Sequence, residues 1–446
     1  MGSYFVDGVM EAVVVRNPME TQFHSAVQQV LQSIEPVVEK HREFIQARVA
    51  ERVVEPERQI MFRVPWVDDQ GEIRINRGYR IGFNSAVGPY KGGLRFHPSV
   101  DLDTVKFLAF EQVFKGALSG MQLGGGKGGS DFDPKGKSDM EVMHFCQTFM
   151  NELFRHVGPD TDIPAGDIGV GTREIGYLFG QYKKLTNTFT GVLTNKGLDY
   201  GGSQARAEAT GYGLVYFATC MLHARGMDWK GSRVIVSGSG NVAIHAAEKA
   251  RQLGAVVVAM SDSHGYVVDD RGIEIEEIRE IKQVRRGRIA EYASLRSSAQ
   301  YHDGPKGMWT VPCNMALPSA TEGELDEAAA KALAGNGCAV VAEGANLPST
   351  QGAIQILRDA GVSFAPSKAA NAGGVAISAL EMSQNVTRLA WTFEEVDARL
   401  KKIMNAIYDR CLAAAEAYVG SQDLIVGANI VGFLTVARAM LAQGIV

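Results

Sequence analysis

Three lysines lie in segments that are unusually rich in glycine: Lys91 in PYKGGLR, Lys115 in EQVFKG and Lys127 in LGGGKGG. Glycine lets the backbone approach a bound molecule closely, so these flanks favour binding residues over solvated surface charges. Several cations that converge on one site would bind a substrate with two carboxylates. They would also depress the pKa of one lysine, because like charges and burial both disfavour protonation. A lysine that titrates near neutrality can act as a general base or proton shuttle.

A carboxylate follows in another glycine-framed segment, residues 164–169, which read PAGDIG. Asp167 is therefore a candidate for proton transfer, and the alternative is that it only caps a turn. A mononucleotide P-loop around Lys127 is excluded, because GxxxxGK[ST] would need glycine at Met121 and a hydroxyl at Gly128.

The run VSGSGNVA, residues 236–243, reads as a strand, a glycine turn and the start of a helix. It satisfies GxGxxA, in which Gly238 permits the tight turn, Gly240 the close approach of a pyrophosphate, and Ala243 the packing of helix on strand. The helix N-terminus would direct free N–H groups and a positive dipole end at the phosphates. The predicted dinucleotide contacts are Gly238, Ser239, Gly240, Asn241 and Val242.

The end of the next strand, residues 260–263 (MSDS), bears on the choice between NAD and NADP. An acidic residue there usually binds the ribose 2′-hydroxyl and repels a 2′-phosphate, so Asp262 admits NAD. Ser261 and Ser263 are candidate phosphate partners that favour NADP. A basic cluster follows at Lys282, Arg285, Arg286 and Arg288. That cluster is either part of a phosphate site or a solvated helix face, and the residues alone leave both coenzymes open.

Several elements are predicted ahead of these motifs. Phe23, Val27 and Ile34 share one face at helical spacing, which predicts an amphipathic helix. Alternating apolar residues on both sides of residues 68–71 predict a hairpin. Asp101 is the expected N-cap of the helix that carries Lys115.

From about residue 200, short apolar strands alternate with helices, which is typical of a parallel sheet covered on both faces. The tail from residue 396 to 446 is predicted to be helical, with a break near Gly427. The fold class is therefore α/β with two domains, of which the second is a Rossmann-like, doubly wound dinucleotide-binding domain.

The composition excludes several classes of protein. With 446 residues, 46% of them hydrophobic, the chain can bury a core in about two domains. A net charge of −5 argues against a nucleic-acid partner. The five cysteines have no CxxC spacing, so neither a disulfide framework nor a metal site is expected. No signal peptide is recognisable, and no apolar run approaches the roughly 18 residues of a membrane span, so we expect a cytoplasmic protein.

Seven runs of sequence carry a family resemblance. They are PYKGGLRFHPSV, EQVFKGALSGMQLGGGKGGSDFDPKGKSD, PAGDIGVGTREIGYLFG, EATGYG, SGSGNVA, AEGANLPST and KAANAGGVAISALEMSQN. With them the chain, from about Phe23 to Val446, resembles the hexameric NADP-specific glutamate dehydrogenases of the Glu/Leu/Phe/Val dehydrogenase family. It departs from the pattern of that family at Asn314, where an acidic residue is typical, and at Ser367, where glycine is typical.

The resemblance implies roles for the substrate residues. Lys91 and Ser378 would bind the side-chain carboxylate of glutamate, and Lys115 and Gln112 the α-carboxylate. Arg206 would be a further polar contact near the cleft.

It also implies the catalytic and coenzyme residues. Lys127 would activate water and shuttle protons, and Asp167 would move protons on and off the amino nitrogen. Thr210 and Asn346 would orient the nicotinamide. The remaining NADP(H) contacts would be the residues of the glycine turn together with Ser261, Asp262, Lys282 and Arg288.

The expected activity is the reversible, NADP-linked oxidative deamination of L-glutamate to 2-oxoglutarate and ammonium, in a homohexamer. Residues 1–200, completed by 378–446, would form the substrate-binding and oligomerisation domain, and residues 201–377 the coenzyme domain. The alternatives are an NAD-linked glutamate dehydrogenase, a leucine, phenylalanine or valine dehydrogenase, and a non-catalytic nucleotide-binding protein. Lys91 and Ser378 oppose an apolar substrate, because a pocket for one would leave a desolvated ammonium unpaired.

Overall fold

The N-terminal part of the chain is built on a five-stranded mixed sheet. The computed structural model describes residues 2–446, with side chains from residue 5 onward, so Met1 of the predicted first domain lies outside the described residues. The strands are β1 (Arg58–Val67), β2 (Ile73–Asn84), β3 (Tyr90–Phe96), β4 (Gly125–Ser130) and β5 (Asp162–Gly166). Their order is β1-β2-β4-β3-β5. β1 and β2 form the predicted antiparallel hairpin, and β3 runs parallel to both β4 and β5.

Seven α-helices accompany this sheet in the sequence. They are α1 (Gly2–Arg16), α2 (Thr21–Lys40), α3 (Arg42–Gln46), α4 (Val49–Val53), α5 (Leu102–Leu118), α6 (Asp139–Leu153) and α7 (Thr172–Thr186), followed by a 3-10 turn at Leu198–Tyr200. α2 is the predicted amphipathic helix and buries Phe23, Val27 and Ile34. Asp101 caps α5 by accepting a hydrogen bond from the Thr104 N–H at 2.8 Å, as predicted.

A second, seven-stranded sheet follows. Its strands are β6 (Arg233–Val236), β7 (Val256–Ser261), β8 (Gly265–Val268), β9 (Gln300–Asp303), β10 (Met315–Leu317), β11 (Val340–Ala342) and β12 (Ser363–Ala365), in the order β12-β11-β10-β6-β7-β8-β9. Five strands are parallel, as predicted, but β8 and β9 are antiparallel. The prediction of a parallel sheet does not hold at this edge, because only residues 262–264 separate β7 from β8, too few for a helical crossover.

Helices cover both faces of the second sheet. They are α8 (Ala209–Ala224), α9 (Asn241–Gln252), α10 (Ile275–Arg279), α11 (Glu291–Leu295), α12 (Glu327–Gly335), α13 (Gln351–Asp359), α14 (Ser367–Ala370) and α15 (Gly373–Thr387), with a π turn at Glu280–Val284 and a 3-10 helix at Pro305–Thr310. Val234 and Val236 of β6 pack into one apolar cluster and Ile235 into the other, as expected for a sheet buried on both sides. Asn314 directly precedes β10 and links it to β6 and to the segment before β11. Its Oδ1 accepts a hydrogen bond from the Arg233 N–H, its N–H donates to the Arg233 carbonyl, and its carbonyl accepts from the Ala339 N–H.

The C-terminal tail forms two helices, α16 (Phe393–Val419) and α17 (Leu424–Gln443). The break lies at Gly420, which ends α16 with φ of 65°, and the prediction of a break near Gly427 is wrong. Gly427 lies inside α17 because a side chain there would place its first carbon 2.0 Å from the carbonyl oxygen of Cys411 on α16. The glycine therefore permits close helix packing instead of interrupting the helix.

α17 corrects the prediction that no apolar segment of the chain approaches the length of a membrane span. Among residues 2–446 it is the one helix long and apolar enough to cross a membrane, with a mean hydropathy of 1.9 over its most apolar window. Asn429, Thr435 and Arg438 interrupt its apolar residues, so the sequence shows no uniform run. Two thirds of that window is buried in the protein, and Ile430 and Phe433 pack in the core beside α5. α17 is accordingly a core helix.

Candidate active site

Neighbouring elements of the first sheet bring the three predicted lysines together. Lys91 lies on β3, Lys127 on the adjacent strand β4, and Lys115 in the last turn of α5, which packs on β4. Burial, together with the nearby charge of Lys127, lowers the pKa of Lys115 to about 8. Lys115 and Lys127 are therefore close enough for their charges to interact, and Lys91 lies on the strand that pairs with the strand of Lys127.

Glycines let these strands approach closely. A side-chain carbon at Gly92 would lie 1.7 Å from the carbonyl oxygen of Gly126, and one at Gly93 would lie 2.8 Å from the side chain of Asp167. Neither clash can be relieved without moving backbone or the carboxylate. Glycine at these two positions consequently allows the lysines and Asp167 to share one small volume.

Asp167 bridges two cations at the end of β5. One carboxylate oxygen contacts Lys127 Nζ at 3.0 Å, and the other accepts a hydrogen bond from Arg95 Nε at 2.8 Å. Burial opposes ionisation, but the two cations outweigh it and hold the pKa of Asp167 well below its usual range. Burial lowers the pKa of Lys127, Asp167 counteracts that effect, and Arg95 adds to the lowering. Asp167 is thus held as an anion in contact with Lys127.

Lys91 is a buried ammonium with almost no partners. Only 1% of the residue is exposed, and Nζ donates to Thr194 Oγ1 at 2.8 Å. Within residues 5–446 no carboxylate lies at ion-pair distance from it. Burial lowers the pKa of Lys91 well below its ordinary value, and the more distant charge of Glu381 opposes that effect. An anionic ligand would supply the missing counter-charge.

Ser378 and Glu381 lie about one helical turn apart on α15, and both are buried. Glu381 is fully buried, forms an ion pair with Lys196 at 2.8 Å and accepts a hydrogen bond from the Asn195 N–H at 2.9 Å. These interactions fix α15 against the loop that carries Thr194. The Ser378 hydroxyl has no hydrogen-bond partner among the described residues, so it is free to contact a ligand.

The other predicted substrate residues lie nearby. Gln112 precedes Lys115 by about one turn of α5, and its side chain passes 3.2 Å from the position of a side-chain carbon at Gly92. Arg206 is half-buried; its Nε is buried and has no hydrogen-bond partner among the described residues, and desolvation lowers the pKa of its guanidinium. Its charge acts on both Lys91 and Lys115.

The glycine turn adopts the predicted strand–turn–helix geometry. Gly238 has φ of 84°, a conformation that favours glycine, and Gly240 is the N-cap residue of α9. Ser239, Asn241 and Val242 complete the turn and the first residues of the helix. The free N–H groups at this helix start can bind a pyrophosphate.

At the end of β7 the structure separates residues that the sequence groups together. Ser261 points inward, and its Oγ accepts from the Gly238 N–H at 2.8 Å. The Asp262 carboxylate accepts from the backbone N–H of Ile289 at 2.9 Å and from Lys282 Nζ at 3.1 Å. These donors lower its pKa against the effect of burial.

Outside that buried pair, Arg288 reaches Ser263 Oγ at 3.2 Å. Both side chains are exposed, so they form the accessible basic end of the turn. Arg285 instead lies near Glu280 and Glu291. The residues of the predicted basic cluster therefore differ in their contacts. Lys282 and Arg285 pair with carboxylates, whereas Arg288 is accessible from solvent beside Ser263.

Asn371 is not among the predicted site residues, yet it links the two halves of the site. Its Oδ1 accepts from Lys115 Nζ at 2.5 Å, and its Nδ2 donates to Asn346 Oδ1 at 2.9 Å. Thr210 approaches the same region, since its hydroxyl lies 2.9 Å from the position of a side-chain carbon at Gly374. The candidate nicotinamide residues thus adjoin the substrate lysines.

Arg95 and Thr194 were not predicted either. Arg95 could have been found, because it shares a face of β3 with Lys91 four residues earlier. Thr194 has no comparable signal, since it lies in a loop far from β3 in sequence. Within residues 5–446 no group of His, Cys, Asp or Glu forms a candidate metal site.

Comparisons with known proteins agree with this arrangement. A family profile described as "Glutamate/Leucine/Phenylalanine/Valine dehydrogenase" matches residues 201–444, and "Glu/Leu/Phe/Val dehydrogenase, dimerisation domain" matches residues 56–184. The chain is 54% identical to the NADP-specific glutamate dehydrogenase of Helicobacter pylori, over 99% of this chain and 100% of that protein. It is 53% identical to the NADP-specific glutamate dehydrogenase of Escherichia coli (strain K12), over 100% of this chain and 99% of that protein.

The fold agrees as closely. A crystal structure of Plasmodium falciparum glutamate dehydrogenase superposes with a TM-score of 0.97 at 50% identity, over 100% of this chain and 96% of that chain. The two profiles, the whole-length identities and the shared fold show that this chain belongs to the glutamate/leucine/phenylalanine/valine dehydrogenase family.

Proposed function

We propose that the protein is an NADP-dependent glutamate dehydrogenase, which interconverts L-glutamate with 2-oxoglutarate and ammonium. The observation that carries this proposal is the buried Lys91 ammonium, whose one hydrogen-bond partner among residues 5–446 is Thr194. Leaving a charge buried and unpaired is costly, so the pocket favours a substrate that ends in a carboxylate over an apolar one. The NADP-specific relatives support the same reaction.

Orientation comes from the cations at both ends of the substrate. Lys91 and Ser378 bind the side-chain carboxylate, and Lys115 with Gln112 binds the α-carboxylate, where Arg206 adds positive charge. Two fixed carboxylates leave the Cα–H bond little freedom, and such orientation can contribute several kcal/mol to catalysis.

Proton transfer falls to Asp167 and Lys127. Bound NADP⁺ supplies the chemistry of a hydride acceptor for the substrate Cα–H. Asp167 takes a proton from the substrate nitrogen, and Lys127 takes one from the water that adds to the resulting iminium carbon. Lys127 then returns that proton to the nitrogen, and the carbinolamine collapses as its hydroxyl proton also passes to nitrogen and the C–N bond breaks, which gives 2-oxoglutarate and ammonium. The 3.0 Å contact between the two side chains supports exchange of protons between them.

The NADP assignment is supported by the neutralised carboxylate at the end of β7. Asp262 is held by Lys282 and the Ile289 N–H, so its charge is paired inside the protein. Ser263 and Arg288 remain open to solvent and can bind a 2′-phosphate by charge-assisted hydrogen bonds. The Asp262 carboxylate, already bound by these donors, is not free to accept a hydrogen bond from the ribose 2′-hydroxyl of NAD.

Assembly into a homohexamer, and the division at residues 200 and 377, belong to the same proposal. The matched dimerisation domain supports association. β1 is an edge strand, and Met61, Ile73 and Ile75 of the β1–β2 hairpin are more than 60% exposed. An unpaired apolar edge of this length favours pairing with a second copy. The packing of α17 on α5 supports the return of the chain to the first domain.

A cytoplasmic location is proposed from the five free cysteines, four of them buried, which suit a reducing compartment.

The test is absorbance at 340 nm with 2-oxoglutarate and ammonium, using NADPH and NADH in parallel. Oxidation of NADPH alone is the expected result. Oxidation of NADH alone would contradict the coenzyme assignment and keep the reaction. No oxidation of either coenzyme would refute the proposed reaction, and the 2-oxo acids of leucine, valine and phenylalanine would be tried next.

A further inference from the structure

Glu343 is a buried carboxylate that the proposed mechanism does not use. It directly follows β11, and only 2% of the residue is exposed. One oxygen accepts from the Ser367 N–H at 2.7 Å and the other from the Ser349 N–H at 3.3 Å. Within residues 5–446 it has no cationic partner, and burial raises its pKa to about 7. The nearest cation on α14, Lys368, is paired with Glu111.

The two serines belong to different segments: Ser349 lies in the segment that follows β11, and Ser367 is the first residue of α14. Residues 344–349, which we call the Asn346 loop, end at Ser349. Within this loop Leu347 has φ of 46°, an unfavourable conformation for a branched residue. Its N–H donates to Ser367 Oγ at 3.3 Å. Ser367 therefore binds the loop at Leu347, next to Asn346, and Glu343 binds it at Ser349, on the other side of Pro348.

The same anchor reaches the substrate side. Ser367 begins α14, and its carbonyl accepts from the Asn371 N–H at 2.9 Å. Asn371 in turn contacts Asn346 and Lys115 through its side chain. A shift of Ser367 would thus move the residues that face the nicotinamide and the one that contacts a substrate lysine.

We propose that Glu343 and Ser367 are positioning residues for the nicotinamide end of the coenzyme, acting by fixing the Asn346 loop against α14. The inference rests on the proposed use of NADP(H). It predicts a selective effect, because the adenosine end of the site, at Ser263 and Arg288, lies at the far end of the glycine turn and does not touch this anchor.

The experiment compares two ligands on the full-length enzyme. NADPH occupies both ends of the site, whereas adenosine 2′,5′-bisphosphate occupies only the adenosine end. Dissociation constants of both are measured for the wild type, Ser367→Ala and Glu343→Gln. Ser363→Ala is the matched control, because Ser363 on β12 loses a hydrogen bond from Arg225 without touching the Asn346 loop.

Ser367→Ala removes one neutral hydrogen bond and should weaken NADPH binding about fivefold. Glu343→Gln places an amide NH₂ against a backbone N–H and should weaken it about tenfold or more. Binding of the bisphosphate should stay within about twofold of the wild type in both variants, because only one end of the site is disturbed. Ser363→Ala should bind both ligands as the wild type does.

Equal weakening of both ligands, or unchanged NADPH affinity in Ser367→Ala, would overturn the inference. If Glu343→Gln fails to fold, Ser367→Ala alone decides. A wild-type enzyme that binds NADPH no better than NADH would instead refute the coenzyme assignment, which separates that failure from this one.

Discussion

Arg95 should set the pH at which the catalytic lysine becomes active. Its guanidinium and the Lys127 ammonium bind different oxygens of Asp167, at 2.8 and 3.0 Å, so the two cations lie roughly 5–6 Å apart. Like charges at that separation repel by about 3 kcal/mol at an effective dielectric constant of roughly 20, which corresponds to about two pKa units. Without Arg95, the negative charge of Asp167 is no longer shared between two cations, so it attracts the Lys127 ammonium more strongly. Both effects raise the pKa of Lys127.

The change is Arg95→Met, which keeps an unbranched side chain in a site that is mostly buried. In the deamination direction Lys127 must be unprotonated to accept a proton from water, so a higher pKa moves the acid limb of kcat/KM to higher pH. We expect a shift of at least about one pH unit after relaxation, with much of the plateau activity retained. At a pH on the acid limb this amounts to a loss of about tenfold.

The assay is the pH profile of kcat/KM for glutamate at saturating NADP⁺. Arg77→Met is the matched control, since Arg77 on β2 is exposed and the substitution changes the net charge by the same amount. An acid limb in the same place as in the wild type would refute the view that Arg95 tunes Lys127. A shift of equal size in Arg77→Met would assign the effect to overall charge.

Three further substitutions test the other parts of the site. Lys127→Ala should abolish turnover and leave NADPH binding, measured by fluorescence titration, nearly intact; loss of binding would contradict the assigned role. Lys91→Leu should shift the preference in steady-state assays from glutamate toward apolar amino acids, by more than about a hundredfold in the ratio of kcat/KM. The reason is that leucine cannot donate a hydrogen bond to the glutamate side-chain carboxylate and instead offers an apolar surface to the substrate. An unchanged preference would count against the carboxylate pocket. Arg288→Ala should raise KM for NADPH about tenfold and leave KM for NADH unchanged, whereas equal effects on both coenzymes would argue against a 2′-phosphate contact.

Much of the fold could be predicted because its signals are local. The apolar period of α2, the alternation in the β1–β2 hairpin and the cap at Asp101 each depend on residues close together in sequence. The break between α16 and α17 could not be placed correctly at Gly420 instead of near Gly427, because glycine serves equally in a helix end and in a close helix packing. Only the position of Cys411 on α16 distinguishes these two uses.

The coenzyme end shows the same limit in the site itself. The sequence presents Asp262 beside Ser261 and Ser263 and leaves NAD and NADP open. The structure pairs Asp262 with Lys282, twenty residues away, and so removes its charge from the accessible surface. A charge pattern read along the chain does not reveal which charges neutralise one another.

By itself, the sequence determined the chemical groups of this protein: the glycine-flanked lysines, Asp167, and the glycine turn between a strand and a helix. Each of these groups lies in a short run of sequence, and the glycines that its backbone needs are close to it in that run. The tertiary structure alone decided that Arg95 shares Asp167 with Lys127, and that Asn371 joins Lys115 to Asn346. The physical reason is that the pKa and orientation of a buried group depend on neighbours within a few ångströms, which the fold brings from distant parts of the chain.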